Sequence, residues 1–297
     1  MANILGAEIP STELSDGTKI PLIGYGTGTT WYKRSDDSTI DRTLVDSIKT
    51  ALKLGYFHLD AAEVYNTEKE VGIAIKESRI SREKLFITTK VITNIKNIEK
   101  AIDTSLEKLQ LDYVDSYLIH SPFFASSDAD LQSAWAAMEA VKDSGKARSI
   151  GVSNYLQKHL EATLATARTS PTINQIEYHP YLQHGDLVPY MKSKNIVVSA
   201  YAPLTAATKA KPGPCDTLLE ALANKYYVGE GEIALRWCMD QGIVAITTSG
   251  KEQRLSDMLR TTTFKMTPKE VRDVSDAGLL KHFRGFWQAK FDEDDRS

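Results

Sequence analysis

"YFHLDAAEVYNTEKEVG", residues 56–72, decides the fold. A strand-like run gives way within a few residues to a helix-like one, and Asp60 and Tyr65 stand five positions apart around the junction. A passage from strand to helix that repeats along a chain implies βαβ units and a parallel sheet. The first question is therefore how often it repeats.

Working outward, apolar β-rich runs stand at 21–26, 56–62, 85–92, 113–121, 147–154, 172–179, 196–204 and 243–249, eight in all. Between them apolar residues recur at three- and four-residue intervals, as in Leu44, Ile48, Ala51 and Leu52, or Ile98, Ile102, Leu106 and Leu109, which is the spacing of amphipathic helices. Eight such units in about 250 residues predict an α/β fold closed into a (β/α)8 TIM barrel. The main alternative, an open doubly wound sheet, commonly carries a Gly-rich first turn. Here "GYGTGTT" (24–30) lacks the G-x-G-x-x-G spacing and is not followed at once by a helix. Ahead of the barrel, the Asp-Gly pair in "STELSDGTKI" predicts a short N-terminal β-hairpin. No linker or shift of composition divides residues 1–297, so one barrel domain is expected. "TAATKAKPGPCD" (205–216) reads as a long mobile loop and "KFDEDDRS" as a solvated end.

Composition narrows the partners. A formal net charge of −3 with no Lys/Arg-rich run gives no footprint for nucleic acid. Two cysteines, Cys215 and Cys238, support neither a disulfide framework nor a thiolate metal site, so a reducing, cytoplasmic setting and no metal are expected. No leader-like segment or 18-residue apolar run occurs, so no membrane association is expected. A closed barrel removes sheet edges, which favours a monomer.

In a barrel of this kind the C-terminal strand ends carry the chemistry. Asp60 and Tyr65, Lys90, His120, Ser153 and Asn154, Gln175, and Tyr201 all fall there. Singly, each has an ordinary structural explanation: Asp60 as a helix N-cap, Lys90 as a surface ammonium, Tyr65 and His120 as packing residues. Together, "GYFHLDAAEVY", "FITTKV", "YLIHSP", "GVSNY", "NQIEYHPY" and "SAYAPL" resemble, in order and spacing, the motifs of the aldo-keto reductase family, over nearly the whole chain. "GYGTGTTWYK" and "HFRGFW" look most like its fungal reductases of conjugated polyketones and ketopantoyl lactone.

The resemblance implies a catalytic tetrad of Asp60, Tyr65, Lys90 and His120. A free phenol, with a pKa of about 10, is a poor proton donor near neutrality. A nearby ammonium stabilises its phenolate, so Lys90, held by Asp60, would lower the Tyr65 value and let it protonate a carbonyl oxygen. His120 would donate a hydrogen bond to the same oxygen. The resemblance also implies NADPH (NADP+) bound without a Rossmann fold. Ser153, Asn154 and Gln175 match the carboxamide positions and Tyr201 the ring that stacks on the nicotinamide. Gly26, Thr27 and Gly28 would lie near its ribose, and Ala202 and Leu204 follow along the cofactor, with Ala202 where a pyrophosphate-binding Ser is usual. At the far end Thr248 stands where a phosphate-gripping Lys is expected and Met258 replaces an adenine-contacting Asn. Ser249, Lys251 and Arg254 form an anion cluster that would keep the preference for NADPH.

Trp31, Tyr32, Phe123, Phe124, Phe286 and Trp287 fall where they would wall a substrate pocket, favouring flat or apolar carbonyl compounds. Vicinal diketones and ketolactones lead, with broad ketone and aldehyde reduction beneath them. An aldose- or xylose-type sugar reductase and a non-catalytic cofactor-binding subunit are the alternatives, separated by activity on open-chain sugars and by the intact tetrad.

Overall fold

The computed structural model describes residues 9–34 and 36–297. Strands β1 (Ser11–Glu13) and β2 (Lys19–Pro21) pair antiparallel around the Asp16–Gly17 turn, which Leu14 N closes by donating to Thr18 O at 2.8 Å. Eight parallel strands come next: β3 (Ile23–Gly26), β4 (His58–Asp60), β5 (Phe86–Val91), β6 (Val114–Ile119), β7 (Ala147–Ser153), β8 (Ile173–Glu177), β9 (Val197–Tyr201) and β10 (Val244–Thr247). They run in chain order around a barrel that closes where β10 pairs with β3. Each falls within one of the eight apolar runs. The strands are shorter than the runs because the ladder stops before the loops: after β9, for example, Ala202 adopts φ 54° and takes the backbone out of the extended region.

The interior is filled by Phe86, Leu118, Ile173, Val244 and Ile246, and the hairpin's Leu14 and Ile20 join this cluster from below. The hairpin therefore plugs the N-terminal end of the barrel and leaves the C-terminal end open. Outside the strands lie α1 (Arg42–Leu54), α2 (Glu68–Ser78), α3 (Ile98–Leu109), α4 (Asp128–Asp143), α5 (Gln157–Leu164), α6 (Leu187–Ser193), the pair α7 (Asp216–Tyr226) and α8 (Glu230–Met239), then α9 (Glu252–Leu259) and α10 (Pro268–Leu279). Their boundaries have local causes. Asp41 caps α1 by accepting from Thr43 N and Leu44 N, and capping boxes start α4 (Ser127 with Asp130) and α10 (Thr267 with Glu270). α1 then buries Leu44, Ile48, Ala51 and Leu52, the residues whose spacing marks it in the sequence. No helix among the described residues is long and apolar enough to cross a membrane.

One segment differs from expectation. The 205–216 stretch is tethered: Cys215 N donates to the Tyr181 hydroxyl at 3.1 Å, Gly213 N to Asp216 Oδ2 at 2.9 Å, and the Lys281 ammonium to the carbonyls of Ala210 and Pro212. The loop's partners Tyr181 and Lys281 are distant from it in sequence. The terminal residues are mostly exposed, as expected of a solvated end, with Arg284 donating to the carbonyls of Asp295 and Ser297 and lying 3.7 Å over the Phe291 ring.

α10 reaches the barrel mouth through Gly278, where an added Cβ would lie 2.1 Å from the Pro180 carbonyl oxygen. Backbone on both sides cannot yield as a side chain does. Gly278→Ala is therefore expected to cost about 1–3 kcal/mol, read as a lower urea midpoint with an unchanged slope; an unchanged midpoint would show that this contact is looser.

Candidate active site

Two side-chain layers build the floor of the site. In β4 and β5 alternate residues face the interior, and the register sets Asp60 opposite Thr88, with Lys90 two residues further up. The Lys90 ammonium, 0% exposed, donates to Asp60 Oδ1 at 2.7 Å and to the Ala61 carbonyl at 2.8 Å. That leaves one N–H for the Tyr65 phenol, whose ring centroid is 5.2 Å from Nζ. Tyr65 ends a short 3-10 turn after β4, and its hydroxyl lies 3.4 Å from His120 Nε2, just beyond β6. The structure thus brings Asp60, Tyr65, Lys90 and His120 together at the open end of the barrel.

Electrostatics sorts these groups. Burial depresses the His120 imidazole well below its usual range and the Lys90 charge adds to this, so the ring is neutral. Its buried Nδ1 has no partner among the described residues. An unpaired acceptor is easier to leave buried than an unpaired N–H, so the proton belongs on Nε2, facing the phenol. For Lys90, burial opposes the charge most strongly of any one influence, but Asp60 and Tyr65 together outweigh it and raise the ammonium above its ordinary value. Tyr65 corrects a sequence expectation: burial raises its phenol above the usual value, while Lys90 acts in the opposite direction without prevailing. The phenol is therefore fully protonated at neutral pH, and the Lys90 charge stands ready for the phenolate that loss of the proton would leave.

Above this floor opens a cavity of about 890 Å³, lined among others by Gly26, Gly28, Tyr32, Tyr65, His120, Asn154, Gln175, Tyr201, Ala202, Leu204, Thr248, Phe286 and Trp287. A second cavity of about 600 Å³ sits beneath the hairpin, lined by Lys19, Phe86, Asp115 and Arg148 among others, and holds none of the four.

The carboxamide-matching residues are partly engaged with the protein itself. Ser153 Oγ donates to the Gln175 carbonyl at 2.7 Å, away from the cavity. Asn154 donates to the His120 carbonyl at 2.9 Å and accepts from the Tyr201 hydroxyl at 2.7 Å. Gln175 Nε2 donates to Asp60 Oδ2 at 2.8 Å, a link from β8 to the floor that the motif pattern does not reveal. Thr27 is buried behind the wall, donating to the Asp60 carbonyl. Ser249, Lys251 and Arg254 lie outside the cavity lining, at the start of α9, where Lys251 N donates to Ser249 Oγ at 3.1 Å. Lys251 and Arg254 are exposed, and neither is in an ion pair among the described residues. No side chain among the described residues caps α9, whose first turn carries Glu252. An uncapped helix start beside two such cations is a ready anion site, so these residues fit the phosphate end of a dinucleotide. Met258, at the expected adenine contact, accepts a hydrogen bond at Sδ from Thr247 instead.

Of the aromatic candidates, Tyr32 and Trp287 line the cavity, joined by Phe286. Trp31 does not. Its indole N–H donates to Thr248 Oγ1 at 3.0 Å and its ring packs over Gly250, because the short Thr248 side chain offers an acceptor within reach. Phe123 stands behind Trp287, ring centroids 5.1 Å apart, and Phe124 packs against the core. Arg34 and Lys209, absent from the sequence reading, join the rim as cations.

The aldo/keto reductase family model matches residues 22–278. An NAD/NADP-dependent indole-3-acetaldehyde reductase of Schizosaccharomyces pombe is 40% identical over 273 residues, covering 91% of this chain and 96% of its own. An NADPH-dependent alpha-keto amide reductase of Saccharomyces cerevisiae is 39% identical, with 90% of each chain covered. Among solved structures, a Bombyx mori aldo-keto reductase in complex with NADP superposes with a TM-score of 0.81 at 33% identity, over 91% of this chain and 92% of that one. Motif, barrel and relatives agree along nine-tenths of the sequence, and the chain belongs to the aldo/keto reductase family.

Proposed function

We propose that this protein reduces ketones, aldehydes and above all vicinal dicarbonyls, ketolactones included, to alcohols with NADPH, Tyr65 supplying the proton. The observation that carries this is the 3.4 Å pair of Tyr65 hydroxyl and His120 Nε2 over the buried Lys90–Asp60 ion pair. Two donors face one spot at the cavity floor, so a carbonyl oxygen placed there accepts from both. NADPH, when bound, supplies hydride to the carbonyl carbon. The His120 N–H orients the oxygen and stabilises the charge growing on it, and Tyr65 transfers its proton to that oxygen. The Lys90 ammonium, kept charged by Asp60, then stabilises the phenolate until water returns the proton. Asn154, Gln175 and Tyr201 would hold the nicotinamide end, with Gly26 and Gly28 near its ribose and Ala202 and Leu204 further along the cavity wall. Ser249, Lys251, Arg254 and the first turn of α9 would take the 2′-phosphate.

The substrate class rests on the apolar, aromatic wall of Tyr32, Phe286 and Trp287 and on the yeast relative, whose named substrate is itself a vicinal dicarbonyl. The whole chain is read as one barrel domain, a monomer for want of free barrel edges, and cytoplasmic in keeping with two unpaired, buried cysteines. The test is NADPH consumption with ketopantoyl lactone or 2,3-butanedione, with NADH in parallel. Turnover with neither cofactor on these, on simple aldehydes or on xylose would refute the reductase reading, and turnover on xylose alone would favour the sugar reductase. Lys251→Ala is expected to raise KM for NADPH about 10-fold, the worth of one charge-assisted contact to a phosphate, with little effect on NADH; equal loss for both would remove Lys251 from phosphate recognition.

A further inference from the structure

Glu177, the last residue of β8, is a buried carboxylate that the proton-transfer chemistry does not use. It is 2% exposed, yet among the described residues it forms no ion pair with Lys or Arg. Its hydrogen bonds run to the C-terminal segment: Oε1 accepts from Gly285 N at 2.8 Å and Oε2 from Phe286 N at 3.0 Å. His179 Nε2 lies 3.1 Å from Oε1 and completes the set with its N–H on that nitrogen. All three partners donate, so the position demands a group that only accepts, as a carboxylate does. The fit is close, since a Cβ at Gly285 would come within 3.1 Å of Oε1.

The clamped amides lead directly into the substrate wall. Phe286 and Trp287 carry the side chains at this point of the chain, and both line the cavity above His120. The Trp287 ring centroid lies 6.5 Å from that of His120, and Phe286 meets the Tyr201 ring edge-on at 5.3 Å. Residues 280–287 contain no regular helix or strand, so no element of secondary structure fixes these two rings. Two backbone amides held by one carboxylate do so, together with the Phe123 ring behind Trp287 and the bond from Phe283 N to the Tyr181 carbonyl.

We propose that Glu177 is a positioning residue for substrate selection: it fastens the C-terminal strap to the end of β8 and so sets where Trp287 stands over the carbonyl site. The inference rests on the reductase reading for its kinetic consequence and on geometry alone for the clamp. Removing the clamp frees the strap by fractions of an ångström to an ångström. A bulky substrate that leans on Trp287 loses its orientation, whereas a small dicarbonyl that touches only Tyr65 and His120 does not.

Glu177→Gln keeps the size but turns an N–H2 toward one of the donors. It is expected to speed hydrogen exchange at residues 285–286 by about 10-fold, the loss of roughly one net hydrogen bond, while the barrel strands stay protected. The ratio of kcat/KM for 1-phenyl-1,2-propanedione to that for 2,3-butanedione should fall about 10-fold, as modest misplacement does. In a Trp287→Ala background the same substitution should leave that ratio unchanged, because the two changes act through one contact. Unaltered exchange at 285–286 would overturn the clamp. An equal loss on both substrates, or the same loss with and without Trp287, would overturn its role in selection. Should Glu177→Gln fail to fold, Gly285→Ala lifts the strap with the carboxylate intact and must show the same two signatures. If the unmodified enzyme turns over no carbonyl at all, the reductase reading fails and selection with it, while the exchange measurement still decides the clamp.

Discussion

Tyr65→Phe is expected to lower kcat for carbonyl reduction by about 10²- to 10⁴-fold, the usual worth of a positioned general acid, while the Kd for NADPH stays within about twofold. The substitution removes one oxygen and leaves the ring, so the edge-on contacts to Tyr32 at 6.2 Å and His120 at 5.4 Å persist. Lys90 and Asp60 keep their 2.7 Å pairing. The group that disappears is the one standing over the Lys90 charge and facing His120 Nε2. Burial holds the phenol in its protonated form, so the parent enzyme carries the transferable proton across the neutral range. The neutral His120 ring donates a hydrogen bond but has no charge-driven proton to give, and it does not replace the phenol. Parent-like turnover in the variant, by single-turnover kinetics, would make His120 or solvent the donor and dismantle the mechanism.

The fold is legible in the sequence because its signals are local. Alternation in "FHLD" and "FITTKV" and the i, i+3, i+4 spacing of Leu44, Ile48, Ala51 and Leu52 each describe a strand or helix whatever it packs against. Asp60, Lys90 and His120 are legible for the same reason, since a strand's period fixes which of its last residues face inward. The hidden features depend on partners distant in sequence. Nothing near Trp31 announces that Thr248 accepts from its indole 217 residues away, nor near Gln175 that its amide reaches Asp60 across 115. The same holds for Glu177, whose partners lie 108 and 109 residues downstream, and for the 205–216 loop, whose Pro and Gly content suggests freedom while Lys281 and Tyr181 remove it. Acidic side chains recur as such anchors: Glu63 Oε2 accepts from Ile92 N and Thr93 N beyond β5, and Glu70 Oε1 from Lys33 and Asp41 N between β3 and α1. Each ties a loop of the barrel mouth to a more rigid element, which is how irregular segments come to present a defined site.

Lys90→Met should be the most damaging single change to both stability and rate. It leaves Asp60, 3% exposed, with Gln175 as its remaining side-chain donor and no compensating charge. Breaking a buried pair by removing one partner typically costs about 3–5 kcal/mol, and the urea midpoint should fall accordingly. The rate should fall as well, because the phenolate formed at Tyr65 would have no cation beside it. These two losses have separable causes. In Lys90→Met/Asp60→Asn the uncompensated carboxylate is gone and the Gln175 donor meets a neutral amide oxygen, so stability should recover by more than half. Catalysis should not recover at all, since the charge that serves Tyr65 is still missing. A double variant that regained rate along with stability would mean that Lys90 acts as a structural counter-ion to Asp60 and that the Tyr65 proton is delivered without it. A double variant no more stable than Lys90→Met would mean instead that the cost lies in the empty space left around the substituted side chain rather than in the buried charge.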